Sequence, residues 1–129
     1  MKTKDIGNIG ENAAVRFLKS NKYKILARNV HISHNELDIV AVSKKTKTIA
    51  FVEVKARSVD SDLYSKFGSP ASAVTKPKKI RTIEAARAYL RENKKTYGLQ
   101  PRIDVIEVYL SKKDLKVLKI NHIENAFGV

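Results

Sequence analysis

The sequence predicts an α/β fold: a mixed central sheet with a first helix on one face and a second, basic helix near the other. Three observations support this. Apolar side chains recur at helical spacing in two separate stretches, five stretches alternate or run apolar as strands do, and the elements follow the order α-β-β-β-α-β-β. At 129 residues and 43% hydrophobic content, the chain is sized for one domain with a core of its own, so 1–129 is read as a single domain.

Ile6, Ile9, Ala13 and Phe17, widened by Ala14 and Leu18, give the first helix an apolar stripe from about Asp5 to Asn21. Glu11 falls beside Leu18, at the edge of that stripe, so it points toward whatever the helix packs on. An acid complementing the helix dipole is the competing reading. "YKILARNVHI" from Tyr23 reads as a strand, and "NELDIVAVSKKTKTIAFVEVK" as a hairpin, making three strands from Tyr23 to Lys55. A polar stretch with Gly68 and Pro70 and no sustained period follows, and a mobile loop is expected at 57–74. Thr75 as N-cap and Pro77 in the first turn open a second helix with Ile80, Ile83, Ala86 and Leu90 on one face. "RIDVIEVYL" and "KVLKINHIE" are two further strands around the turn "SKKD", leaving "NAFGV" as a short tail.

The hairpin raises a chemical question. If it turns symmetrically about Ser43 to Thr48, Val42 faces Ile49, Val40 faces Phe51, Asp38 faces Glu53 and Glu36 faces Lys55, all on one side of the sheet. Leu37, Ile39, Ala41, Ala50, Val52 and Val54 form the opposite, apolar face. Two opposed carboxylates repel unless a cation lies between them. With no cysteine and no histidine cluster, hard oxygen ligands point to Mg²⁺ or Mn²⁺ as that cation. Lys55 returns to the same face as Glu53, where its ammonium can hold a water or stabilise charge on a phosphate. The competing reading is a plain cross-strand pair of Lys55 with Glu36.

Charge narrows the partners. The chain carries 26 Lys and Arg against 13 Asp and Glu, a net +13, which favours a polyanion. From Lys76 to Arg102 there are nine cations (Lys76, Lys78, Lys79, Arg81, Arg87, Arg91, Lys94, Lys95, Arg102) against Glu84 and Glu92. Lys76, Lys78, Lys79, Arg81, Arg87 and Arg91 are the candidate nucleic-acid contacts, against the alternative of a solvated cationic helix. No run approaches a membrane span and the start has no signal-peptide apolar region, so a cytoplasmic protein is expected.

"GENAAVRFL", "YKILARN", "NELDIVA", "FVEVKAR", "FGSPASAVTKPK", "AARAYL" and "RIDVIEV", in this order, resemble the bacterial YraN-type family of uncharacterised, endonuclease-like proteins. The resemblance covers about Gly7 to Val108. That family is similar to the restriction-endonuclease-like PD-(D/E)XK nucleases and to archaeal Holliday junction resolvases. The resemblance implies a restriction-endonuclease-like fold and a metal-dependent endonuclease hydrolysing DNA, structured or branched DNA included. A non-catalytic nucleic-acid-binding module on the same fold is the alternative.

Residue by residue, the resemblance implies Asp38, Glu53 and Glu11 as metal ligands and Lys55 as the lysine of the motif. Glu36 is then an auxiliary residue, and a homodimer is implied by similarity to the resolvases. The chain departs from the family pattern at Asn35, where Gly is usual, and at His31, where Arg is common. Neither change removes a ligand. His31 and His34 fall near the site, although solvated loop histidines are the simpler reading, and His122 reads as structural.

Overall fold

The computed structural model describes residues 3–60 and 74–128. The first helix, α1, spans Thr3–Ser20, and three strands follow: β1 Tyr23–Ile32, β2 Asn35–Ser43 and β3 Thr48–Val59. The second helix, α2, spans Lys76–Glu92; after a 3₁₀ turn at Lys94–Thr96 come β4 Gln100–Ser111 and β5 Val117–Phe127. All five strands join one mixed sheet in the order β1-β2-β3-β4-β5, with β3 and β4 parallel and the other pairs antiparallel. A parallel pair needs a crossover, and α2 lies on it. Among the described residues no helix is long and apolar enough to cross a membrane.

The alternation of β2 and β3 divides the core into two layers. Ile39, Ala41, Ala50 and Val52 pack with Ala13, Ala14 and Leu18 of α1, while Val40, Val42, Ile49 and Phe51 pack with Ala85, Ala86 and Tyr89 of α2. The hairpin register agrees with the sequence expectation at Val42↔Ile49 and Val40↔Phe51. Thr75 caps α2 as expected, its side chain accepting the Lys78 N–H at 3.4 Å.

Five expectations are corrected. Leu37 belongs to the α2 layer with Val40, not the α1 layer with Ile39, so alternation breaks around Asp38, where β2 leaves β3. β3 runs on to Val59, because the parallel ladder with β4 extends to Val59↔Ser111. The start of the expected loop is therefore strand, while 61–73 lie outside the described residues. The tail is not free: β5 continues to Phe127, which pairs with Ile103. Ile80 is exposed, since α2 rests on Thr82, Ala85, Ala86, Ala88 and Tyr89, a face in which three alanines leave room for Tyr89 to pack on Phe51.

Arg102 is the fifth. It was counted with the polyanion-facing cations, but it is mostly buried and donates twice to Asp104, at 2.8 Å each, and once to the Tyr23 hydroxyl. His122 Nε2 stands 2.7 Å from Oδ2 of the same carboxylate, and the Asn125 N–H donates to its Oδ1 at 2.9 Å. Burial alone would push the Asp104 carboxyl up; the His122 ring, Arg102 and the Asn125 N–H outweigh it and hold the group below the usual carboxylate range. A buried charge is tolerated when it is paired and hydrogen-bonded, and this one is.

Candidate active site

The ladder between β2 and β3 stops at Ile39↔Val52. One residue further out the Asp38 carboxylate, through Oδ2, accepts the Val54 N–H at 2.9 Å. A short carboxylate side chain competes well with a carbonyl for a backbone donor. The consequence is a fork in the sheet, with Asp38 pinned to the backbone between Glu53 and Lys55. The expected opposition of Asp38 and Glu53 as ladder partners is thereby modified: the two acids are neighbours, but through the backbone at Val54.

Glu53 is almost fully buried, at 6% exposure, and its Oε1 lies 3.7 Å from Lys55 Nζ and 3.5 Å from Lys78 Nζ. Lys55 thus turns to Glu53 on its own strand. Lys78 comes from the first turn of α2, so the Thr75 cap that starts the helix also aims this ammonium at β3. Sequence reading placed Lys78 among phosphate contacts and missed its bond to Glu53, which no local pattern encodes.

Glu11 is held from β1. Arg28 Nε and Asn29 Nδ2 both donate to Glu11 Oε1 at 3.0 Å, and a second Arg28 nitrogen donates to Asn12 Oδ1 at 2.7 Å. Asn29 has φ +52, in the left-handed region that asparagine tolerates better than most residues, and this aims its amide at the helix. α1 comes close enough because position 10 is glycine: a Cβ there would stand 2.3 Å from the Ala56 Cβ.

Glu11, Asn29, Glu36, Asp38 and Lys55 line one cleft of about 410 Å³ between α1 and the fork. Glu36 is exposed at its mouth. Burial, and then the charge of Glu53, push the Asp38 carboxyl up to about 7, against the opposing pull of the Val54 N–H and Lys78; Glu11 adds a smaller upward push. A carboxyl in that state binds a proton for want of another cation. Among the described residues no three His, Asp or Glu side chains are gathered into a ready metal-binding group. Each acid instead has a partner of its own: Val54 for Asp38, two lysines for Glu53, and Arg28 with Asn29 for Glu11. The donor set still fits a hard divalent cation, because it offers carboxylate oxygens and the Asp38 carboxyl is pressed by the charge of Glu53.

The remaining predicted contacts lie along α2. Lys76, Arg81, Arg87 and Arg91 are exposed, and the Lys79 ammonium sits 5.7 Å above the Phe127 ring. Sequence reading assigned no role to Glu107, which is fully buried beside Lys55 in the β3–β4 register and accepts from Tyr109 and Asn121. An acid inside the apolar run "RIDVIEVYL" was the available signal.

Comparison with known proteins gives the family. The model of the uncharacterised protein family UPF0102 matches residues 10–108. The chain belongs to this family. A UPF0102 protein of Caldanaerobacter subterraneus subsp. tengcongensis is 40% identical over 125 residues, covering 96% of this chain and 95% of the relative. One from Caldicellulosiruptor saccharolyticus is 42% identical over 127 residues, covering 98% and 100%, and one from Acetivibrio thermocellus is 43% identical over 124 residues, covering 94% and 89%. The matched UPF0102 segment contains the fork, Glu11 with its Arg28 and Asn29 clamp, and all of α2.

Proposed function

We propose that this UPF0102 protein is a Mg²⁺- or Mn²⁺-dependent endonuclease of the cytoplasm that hydrolyses DNA phosphodiester bonds. The observation that carries the proposal is the fork itself: Asp38 and Glu53 are forced together at one end of the sheet, with Lys55 beside them and Glu11 facing the same cleft. The resemblance to PD-(D/E)XK nucleases supports the same reading. Asp38, Glu53 and Glu11 would hold the metal, which when bound supplies Lewis-acid stabilisation of charge at phosphorus. Lys55 orients the attacking water, and Lys78 shares the charge of Glu53 so that this buried acid can sit beside Asp38. The exposed cations of α2 hold the DNA backbone.

A second reading has one observation in its favour. Glu53 and Glu11 already have cationic partners, as they would in a binding module that keeps the fold without turnover. Cleavage of labelled single-stranded, duplex, flapped and four-way-junction DNA in Mg²⁺, Mn²⁺ or EDTA separates the two. Metal-dependent cutting that is lost in Asp38→Asn and Lys55→Ala, with DNA binding retained in Asp38→Asn, supports the nuclease. Binding without cutting of any of these DNAs by the wild type moves the module ahead.

A further inference from the structure

The cleft of the candidate active site does not end at Glu36. That residue also lines a second cleft, of about 530 Å³, between the β1–β2 turn and α2. One wall is the turn, with His31, Ser33 and His34; the other is α2, with Lys78, Arg81 and Thr82. Ser33 in turn belongs to a smaller depression of about 340 Å³, bounded by Glu84, Arg87 and Arg91. Three depressions thus adjoin through Glu36 and Ser33 and lead from the fork along the cationic side of α2. Lys78 connects them chemically, since it lines the middle cleft and also contacts Glu53.

The turn is built to stand up as a wall. Ile32 pairs with Asn35 across the two residues Ser33 and His34, whose φ angles are +51 and +61, as a tight two-residue hairpin turn requires. The Asn35 side chain fastens it, donating to the Ser33 carbonyl at 2.9 Å. Both imidazoles are exposed. The cations of the path are Lys78, Arg81, Arg87 and Arg91, and the acids are Glu36 at the end near the fork and Glu84 between the arginines. The balance is positive along the length of α2 and least so at the mouth of the acid cluster.

A walled channel with cations on one side and flat rings on the other suits one backbone and bases turned out of a stack. Base readout in a duplex instead needs a helix or two-stranded ribbon that enters its major groove, and neither wall of this path presents one in that way. Unpaired strands are held by cationic grooves that track phosphates and by ring faces on which bases stack, histidine included. We infer that the path between the β1–β2 turn and α2 is a binding channel for an unpaired DNA strand, which it delivers to the fork. His31 and His34 stack with bases, and Arg81, Arg87 and Arg91 take phosphates. The inference rests on the nuclease reading only for what happens at the end of the channel.

The test is therefore made in EDTA, where nothing is cut. Fluorescence anisotropy compares a labelled dT oligonucleotide, a blunt DNA hairpin, and the same hairpin with an unpaired dT tail. The oligonucleotide and the tailed hairpin are expected to bind about ten-fold or more tightly than the blunt one. The double variant His31→Ala, His34→Asn, in which asparagine suits the left-handed backbone at position 34, should lose about five-fold or more on the oligonucleotide. The blunt hairpin should be unaffected by it. Arg81→Ala should weaken oligonucleotide binding and flatten its salt dependence by about one phosphate contact, whereas the histidine variant leaves the slope unchanged. Equal or tighter binding of the blunt hairpin, or oligonucleotide binding indifferent to the histidines, overturns the channel. Retained unpaired-strand binding without metal-dependent cutting overturns the nuclease reading alone.

Discussion

The Asp38 carboxylate accepts the Val54 N–H at 2.9 Å, so one side chain of β2 takes the place of the β2 backbone as partner for β3. That bond opens the sheet at the point where Glu53 and Lys55 emerge, and it holds a partly buried carboxylate beside a buried one. Three expected outcomes follow from the charges so arranged, and a fourth from the packing of α1 on β3.

Asp38 makes the protein less stable as pH rises. Its folded-state carboxyl is raised to about 7 from an ordinary value near 3.8, so the native state holds a proton that the unfolded chain releases. The stability associated with that proton is complete below about pH 4 and is lost as pH climbs through about 7. Asp38→Asn keeps an acceptor for Val54 and removes the charge, and at pH 8 without divalent cations it should stabilise the fold by roughly 1–4 kcal/mol. Urea denaturation of both proteins at pH 5 and pH 8 checks this; an equal difference at the two pH values refutes it.

Divalent-cation binding should tighten across the same window. A metal ion competes with the proton on Asp38, so Mn²⁺ affinity by calorimetry is expected to rise from pH 6 to pH 8 with proton release on binding. Heats that do not depend on the ionisation enthalpy of the buffer would show that no proton leaves.

Lys78 lowers the Asp38 carboxyl and contacts Glu53, so its removal should raise the Asp38 midpoint above about 7. Carboxyl-carbon NMR titration of Lys78→Met reads the midpoint directly. An unchanged midpoint would mean that the lysine is solvated and acts only on distant phosphates.

Gly10→Ala should cost roughly 1–3 kcal/mol, because the added methyl meets the Ala56 Cβ and must push α1 away from β3. Ala56→Gly in the same chain should restore most of the loss. Thermal melts of the two single variants and the double variant decide whether the contact is the cause.

Much of this was legible in the chain because it is written in periodicity. The hairpin register followed from matching apolar positions around Ser43–Thr48, the Thr75 cap from its local chemistry, and the inward lean of Glu11 from the helical wheel. What could not be read depends on groups meeting across the fold. The face change at Leu37 comes from a side chain displacing a ladder bond, and the exposure of Ile80 comes from α2 seating on alanines instead. Arg102 looked like one more surface cation, because nothing near it in sequence announces Tyr23, His122 and Asn125 as neighbours of its partner Asp104.

The parallel pairing of β3 with β4 also governs the order in which these charges meet during folding. Strands β1, β2 and β3 are joined by short turns and pair locally, whereas β4 must wait for the chain from Val59 to Gln100 to loop back, carrying α2 with it. Contacts between segments far apart in sequence form against a larger loop-closure entropy and set the pace. Asp38 and Glu53 can therefore come together before Lys78 arrives. Of the two cations on Glu53 only Lys55 is then in place, so moderate salt should speed refolding of the wild type more than that of Asp38→Asn in stopped-flow measurements.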